Sequence, residues 1–180
     1  MRNIILLLAI VPSILSQEYI PISHYAPNSA PVAVKIDAKD AKCLAVTIYG
    51  EARSEPEKGM IAVAYTVITR SILRKKAVCS IALAPKQYSI FNGNPALRAA
   101  AMSPHLEPIQ KNEIDKQDWA ASMKVAESVL KKEVVDPTDG SSYYISPVAM
   151  KALGYKYPKW THTFKKTVHI GNHIFFKEKI

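Results

Sequence analysis

Apolar positions keep helical spacing in three stretches between 37 and 131 and alternate near the end of the chain. Ala41, Leu44, Ala45 and Ile48 recur three and four apart behind Asp37, which predicts a first helix capped by that aspartate and ending near Ala52. Ser54, Pro56 and Glu57 form a second start signal: a capping serine, a proline suited to a first turn, and a glutamate three residues after the serine. The helix that follows is expected to reach about Ile72. Met60, Val63, Ala64, Val67 and Ile68 form its broad apolar face, and Arg74, Lys75 and Lys76 a solvated basic end. Residues 77–83 predict a helical turn, and 87–91 a strand or extended loop stopped by the sequence NGNP. Residues 102–108 are too broken to assign. A third long helix is expected over 115–131, opened by Asp115 and Asp118, with Trp119, Met123, Ala126 and Leu130 on one stripe. Residues 136–147 combine turn chemistry with a short strand. Two alternating stretches then flank Gly171 and Asn172, a pair suited to a two-residue hairpin turn with glycine in the first central place. Helices first and a small antiparallel sheet late make an α+β order.

Composition adds three constraints. With 180 residues, 48% hydrophobic and 22% charged, the chain suits one globular domain with its own core. Its first residues have a secretory leader's layout: Arg2, an apolar stretch over 4–15, then Ser13, Ser16 and Gln17. That stretch falls short of the roughly 20 residues a spanning helix needs, so no stable membrane anchor is expected. Pro12 argues against the other option, a buried N-terminal helix. The expected organisation is a signal peptide over 1–16, an extended linker with Pro21, Pro27 and Pro31 over 17–36, and a single domain over 37–180. The product would work in the periplasm, the cell wall or outside the cell, and a monomer is expected. In an exported chain the two cysteines, Cys43 and Cys79, suggest a disulfide between the first helix and the segment after the second; two small buried thiols are the other option. The net charge of +9 favours anionic partners. The lysines are scattered and no nucleic-acid motif is present, so nucleic acid is not expected among them.

One carboxylate interrupts this pattern. The apolar run over 44–49 leads straight into Gly50 and Glu51 before the next helix begins. At the C-terminal end of a helix the dipole disfavours negative charge, and Ile48 and Tyr49 disfavour it further by excluding water. Both effects favour a protonated carboxyl, which is what a general acid requires. The residues alone leave other options open, a surface carboxylate or one paired with Arg53 or Arg70.

The stretch GEARSEPEKGMIAVAYTVITR, residues 50–70, resembles the signature of the SleB-type cell wall hydrolases, a family that includes spore cortex-lytic enzymes and some phage endolysins. Downstream, CSIALAPKQYSIFN resembles the family's cysteine, apolar turn and Q-F-S segment, and DPTDGSSYYISP its D-P-T-G-G-x-x-Y-Y stretch. PKW and IGNHIFF resemble its closing tryptophan and I-G-x-H-x-F. The resemblance covers about 43–176. Ser54, Thr69, Tyr88 and Ser146 depart from the family's usual glycine, asparagine, phenylalanine and asparagine, which bears on hydrogen bonds to substrate. The resemblance implies a lysozyme-like fold, mainly helical with a small antiparallel sheet in the C-terminal half. It also implies peptidoglycan glycan strands as substrate and Glu51 as the catalytic residue; no cofactor is expected.

Glycosidases commonly add a second carboxylate, as nucleophile or as base for water. Glu55, Asp136 and Asp139 are the candidates, the two aspartates doubling as turn residues. A lytic transglycosylase needs one acid only, because the muramoyl 6-hydroxyl attacks the anomeric carbon itself. Gln87, Tyr88, Tyr143, Tyr144 and Trp160 are candidates for sugar contacts, since aromatic side chains offer a flat apolar face and a polar tip. Tyr143 and Tyr144 are adjacent on a strand and point opposite ways, so one can face the cleft and the other the core; the family resemblance implies Tyr143 on the cleft side. Two rival functions are an amidase with zinc on His162, His169 and His173, and a non-catalytic wall-binding protein. No H-E-x-x-H pattern supports the first, and no metal is expected.

Overall fold

The computed structural model describes residues 36–85, 87, 88, 91, 93–103, 106, 108 and 110–179. The expected leader and nearly all of the expected linker lie outside the described residues.

Helix α1, Ala38–Ala52, starts where Asp37 accepts hydrogen bonds from the N–H groups of Lys39 (2.8 Å) and Asp40 (3.1 Å). Its apolar positions predicted one buried face, yet residues 41–49 are all buried. The reason is position: among the described residues α1 is the central helix, packed against the four helices Glu57–Arg74, Val78–Ala82, Pro95–Met102 and Glu113–Leu130. Lys42 tolerates this by laying its stem along the core and setting its ammonium over the Trp119 ring at 5.1 Å. The Thr47 hydroxyl donates to the Cys43 carbonyl at 2.8 Å.

Helix α2, Glu57–Arg74, has Pro56 at its N-cap and no side-chain cap, so Ser54 does not cap it as expected. Arg74, expected in solvent, donates to the Tyr143 hydroxyl at 3.0 Å and lies 3.9 Å from Glu178. The short helix α3, Val78–Ala82, is joined to α1 by the Cys43–Cys79 disulfide. Asp40 of α1 also accepts from the Cys79 N–H at 2.9 Å. Among the described residues of 87–91 there is no strand.

Helix α4, Pro95–Met102, was not expected. Asn94 caps it, accepting from the Leu97 N–H at 3.1 Å, and Pro95 sits in the first turn. The Asn-Pro pair read as a stop is a helix start. Leu97, Ala100 and Ala101 bury against α1. Helix α5, Glu113–Leu130, begins two residues before the expected start, capped by Asn112. Its buried stripe is Trp119, Ser122, Val125, Ala126 and Val129, rotated from the expected one. Ser122 is admitted to the stripe because its hydroxyl bonds the Asp118 carbonyl at 2.7 Å.

The sheet has three antiparallel strands in the order β1-β3-β2: β1 Tyr143–Ile145, β2 Lys165–Ile170 and β3 His173–Lys177. Between β1 and β2 lie a short helix α6, Pro147–Ala152, and a 3-10 turn, Lys159–His162. The hairpin turn is the expected Gly171-Asn172, with Gly171 at φ +56°. Tyr144 pairs with Phe175 on one sheet face and Tyr143 with Phe176 on the other. Phe175 is fully buried and carries the sheet onto the helical core.

Candidate active site

Glu51 ends α1 at the wall of a cleft of about 820 Å³. The sheet forms the facing side. Tyr144 on β1 reaches across and donates its hydroxyl to Glu51 Oε2 at 3.0 Å. Burial, and then the nearby Glu51 charge, push the Tyr144 phenol well above its usual range, so the group stays a donor. Gln87, Tyr144, Trp160 and His173 line the same cleft.

The two tyrosines point opposite ways as expected, with sides exchanged. Tyr144 faces Glu51. Tyr143 instead packs its ring 5.1 Å from Trp160 and 5.1 Å from Phe164, with the Arg70 guanidinium 4.5 Å above it. The strand register decides this, because only the Tyr144–Phe175 face turns to the helical core. Tyr88 is buried and does not line the cleft. Its phenol, raised by burial against the opposing pull of Arg70, lies 3.3 Å from an Arg70 nitrogen.

Arg70 organises this corner. Its Nε donates to the Ser142 carbonyl just before β1, and another guanidinium nitrogen donates to Gln87 Oε1 at 3.0 Å. One buried cation therefore positions both the strand carrying Tyr144 and the Gln87 side chain. Arg53 lies 3.8 Å from Asp115 with its guanidinium over the Tyr49 ring.

Of the candidate second carboxylates, Glu55 lines the cleft with both oxygens engaged, and the two aspartates lie outside it. Glu55, 8% exposed, accepts from the Asn172 N–H at 3.0 Å through Oε2 and from the Asn172 side-chain amide at 2.8 Å through Oε1. It thus holds the hairpin turn against the α1–α2 connection, at one edge of the cleft. Asp136 accepts from the Thr138 N–H (2.7 Å), the Thr138 hydroxyl (2.6 Å) and the Gly140 N–H (3.0 Å), the bonding of a turn aspartate. Asp139 is exposed, at φ +55°, and 3.7 Å from Lys165. Neither aspartate lines the cleft.

The three histidines do not converge. His162 and His169 are exposed. Register pairs His169 with Ile174 and His173 with Ile170, so His169 and His173 occupy opposite sheet faces rather than facing one another. No group of three His, Cys, Asp or Glu among the described residues is placed to hold a metal ion. His173 is 5% exposed, its Nδ1 3.6 Å from Glu55 Oε1 and its ring edge-on to Tyr144 at 4.9 Å. Burial lowers its basicity more than Glu55 and Glu51 restore it, with His169 adding to the lowering. Sequence reasoning missed the Glu55–Asn172 tie and the organising role of Arg70. Pairs 117 and 72 residues apart leave no local signal.

A sequence model described as Cell Wall Hydrolase matches residues 54–176. The chain belongs to the cell wall hydrolase family. Glu51 lies three residues before the matched segment, so its candidacy rests on the cleft geometry and on the G-E-A-R resemblance. Two solved structures share the fold. One is the catalytic domain of the germination-specific lytic transglycosylase SleB from Bacillus anthracis, with TM-score 0.54 and 24% identity, covering 81% of this chain and 100% of that one. The other is the catalytic domain of the Bacillus cereus SleB protein, with TM-score 0.51 and 23% identity, covering 84% and 100%. No curated protein matches the chain. This cell wall hydrolase therefore has the lysozyme-like fold expected of it, mainly helical with one small antiparallel sheet in its C-terminal half.

Proposed function

We propose that this cell wall hydrolase cleaves the glycan strand of peptidoglycan between N-acetylmuramic acid and N-acetylglucosamine, as a lytic transglycosylase with Glu51 as acid and then base. The observation that carries the reading is the Tyr144–Glu51 hydrogen bond at the wall of a cleft of about 820 Å³. A carboxyl held by a fixed donor keeps one orientation, which proton transfer to a bound oxygen requires.

In the first step the Glu51 carboxyl gives its proton to the glycosidic oxygen, the bond from that oxygen to the anomeric carbon breaks, and positive charge builds on the sugar. In the second step the muramoyl 6-hydroxyl oxygen attacks the anomeric carbon and its proton passes to the Glu51 carboxylate. The products are a 1,6-anhydromuramoyl end and a free 4-hydroxyl, and the acid is regenerated. Glu55, Asp136 and Asp139 are all engaged in hydrogen bonds or ion pairs within the fold. That supports the one-acid route over hydrolysis with a water-activating base. Such a substrate places the protein's work outside the cytoplasm. Among the described residues no helix is long and apolar enough to cross a membrane.

Mass spectrometry of fragments released from purified peptidoglycan tests the reaction. Anhydromuramoyl ends are expected. Reducing muramic ends would replace the transglycosylase by a muramidase, and freed stem peptides on intact strands would indicate an amidase. Binding without any release would leave only a wall-binding protein.

A further inference from the structure

From residue 146 to residue 169 no side chain is buried, although this segment carries Val148, Leu153, Tyr155, Tyr157 and Trp160. Its first part, α6 and the turn after it, forms one rim of the Glu51 cleft. The backbone there is nonetheless fixed. Leu153 N–H donates to the Ala149 carbonyl at 3.0 Å, Gly154 N–H to the Lys151 carbonyl at 3.2 Å and Tyr155 N–H to the Met150 carbonyl at 2.8 Å. Gly154 sits at φ +69°, so α6 ends in a glycine stop of the left-handed kind. This stop commonly brings the residue after the glycine against the residue that accepts its bond. Here that pair is Tyr155 and Met150, and both line the cleft.

Tyr155 is 66% exposed, and among the described residues its side chain makes no hydrogen bond and no ring contact. Trp160, on the same cleft, differs: it packs edge-on to Phe176 and is tilted against Tyr143 and Phe164. Trp160 is thus a wall braced by its neighbours, whereas Tyr155 is an unengaged ring on a fixed backbone. Such a ring leaves its face open to a flat apolar surface, and with only two side-chain torsions it costs little to order against one. The apolar face of a pyranose is such a surface.

We propose that Tyr155 is a substrate-binding residue that stacks on a pyranose ring of the glycan strand away from the bond being cut. The inference rests on the proposed glycan-cleaving function and names one further contact for it. Continuity of the rim with the Glu51 cleft selects the strand as occupant over a stem peptide or a second copy of the chain.

The test uses the full chain and soluble glycan strands stripped of their stem peptides. Tyr155→Ala should raise KM about tenfold, the effect of losing one buried aromatic face, with kcat within about twofold of wild type. Tyr155→Phe should match wild type, because stacking needs the ring and not the hydroxyl. In a Glu51→Gln background Tyr155→Ala should weaken strand binding by the same factor. An unchanged KM and unchanged binding, or a loss confined to kcat, would overturn the proposal. So would a defect seen only on walls that retain their peptides, which would assign the rim to peptide. Wild-type protein that binds but does not cut the strands would instead defeat the glycan-cleaving function, while the binding comparison would still decide the role of Tyr155.

Discussion

Tyr144 is the side chain on which the geometry of Glu51 most visibly depends. Tyr144→Phe keeps the ring and removes the donor. A hydrogen bond of this kind is worth roughly 1.5–3 kcal/mol, so if its loss falls on the orientation of the acid kcat should fall about 10- to 100-fold, with a melting temperature lowered by no more than roughly 10 °C. Steady-state turnover of solubilised glycan, with a melting curve beside it, measures both. His173 gives the second expectation at this scale. Burial holds its basicity below the ordinary histidine value of 6.5, against the upward pull of Glu55 and Glu51. The unfolded chain therefore takes up a proton that the folded one refuses, and stability contributed by neutral His173 is lost as pH falls below about 6.5. The melting temperature should decline from pH 7.5 to 5, and His173→Gln should flatten part of that slope. A steeper slope in the variant would contradict the argument. At this scale the position of Glu51 near the end of α1 was legible from the apolar spacing, while its candidacy as the acid came from the G-E-A-R resemblance. The exchange of Tyr143 and Tyr144 was not, because a two-residue alternation fixes opposition and leaves open which side faces the cleft.

At the scale of elements, the Gly171-Asn172 turn does more than reverse the chain. Asn172 gives two hydrogen bonds to Glu55, and a Cβ built on Gly171 would lie 1.7 Å from Glu55 Oε2. Gly171 also has φ +56°, where a side chain is strained. Gly171→Ala should cost about 1–3 kcal/mol from the backbone alone and more from the clash, lowering the melting temperature by roughly 5 °C or more. Calorimetry checks it, and an unchanged melting temperature would mean that the turn is not held against Glu55. The turn's position was readable because glycine followed by asparagine between alternating stretches is a local signal. Its docking partner was not, since Glu55 sits in a different part of the chain. Capping residues differ in how far their local signal carries. Asp37 caps α1 because its side chain reaches the following N–H groups, while Pro56, with its fixed φ, starts α2 without any side-chain bond. Asn94 and Pro95 both favour turns and so resemble a stop in the sequence, yet tertiary packing of Leu97 and Ala100 on α1 makes them a start.

For the whole molecule, α1 is the axis and the disulfide pins its beginning to α3. The 36-residue separation predicts about 3–4 kcal/mol of stabilisation by restricting the unfolded chain. Replacing Cys43 and Cys79 by serine should lower the melting temperature by roughly 10 °C, and adding reductant to the native protein should have a comparable effect. Insensitivity of both would contradict a structural role for the bridge. The α+β order, the late hairpin and the family were legible because each rests on short-range pattern. The complete enclosure of α1 was not, since its sequence shows one apolar face and says nothing of how many helices will gather round it.

The central claim is that Glu51 supplies the proton for glycan cleavage. Its most direct test is the lysis of purified peptidoglycan by wild-type protein and by Glu51→Gln, which keeps the shape and removes the acid. The account predicts unchanged wall binding and folding with at least a thousandfold loss of released glycan, the order expected when a general acid is removed at a one-acid site. A Glu51→Gln protein that lyses walls at the wild-type rate would contradict it.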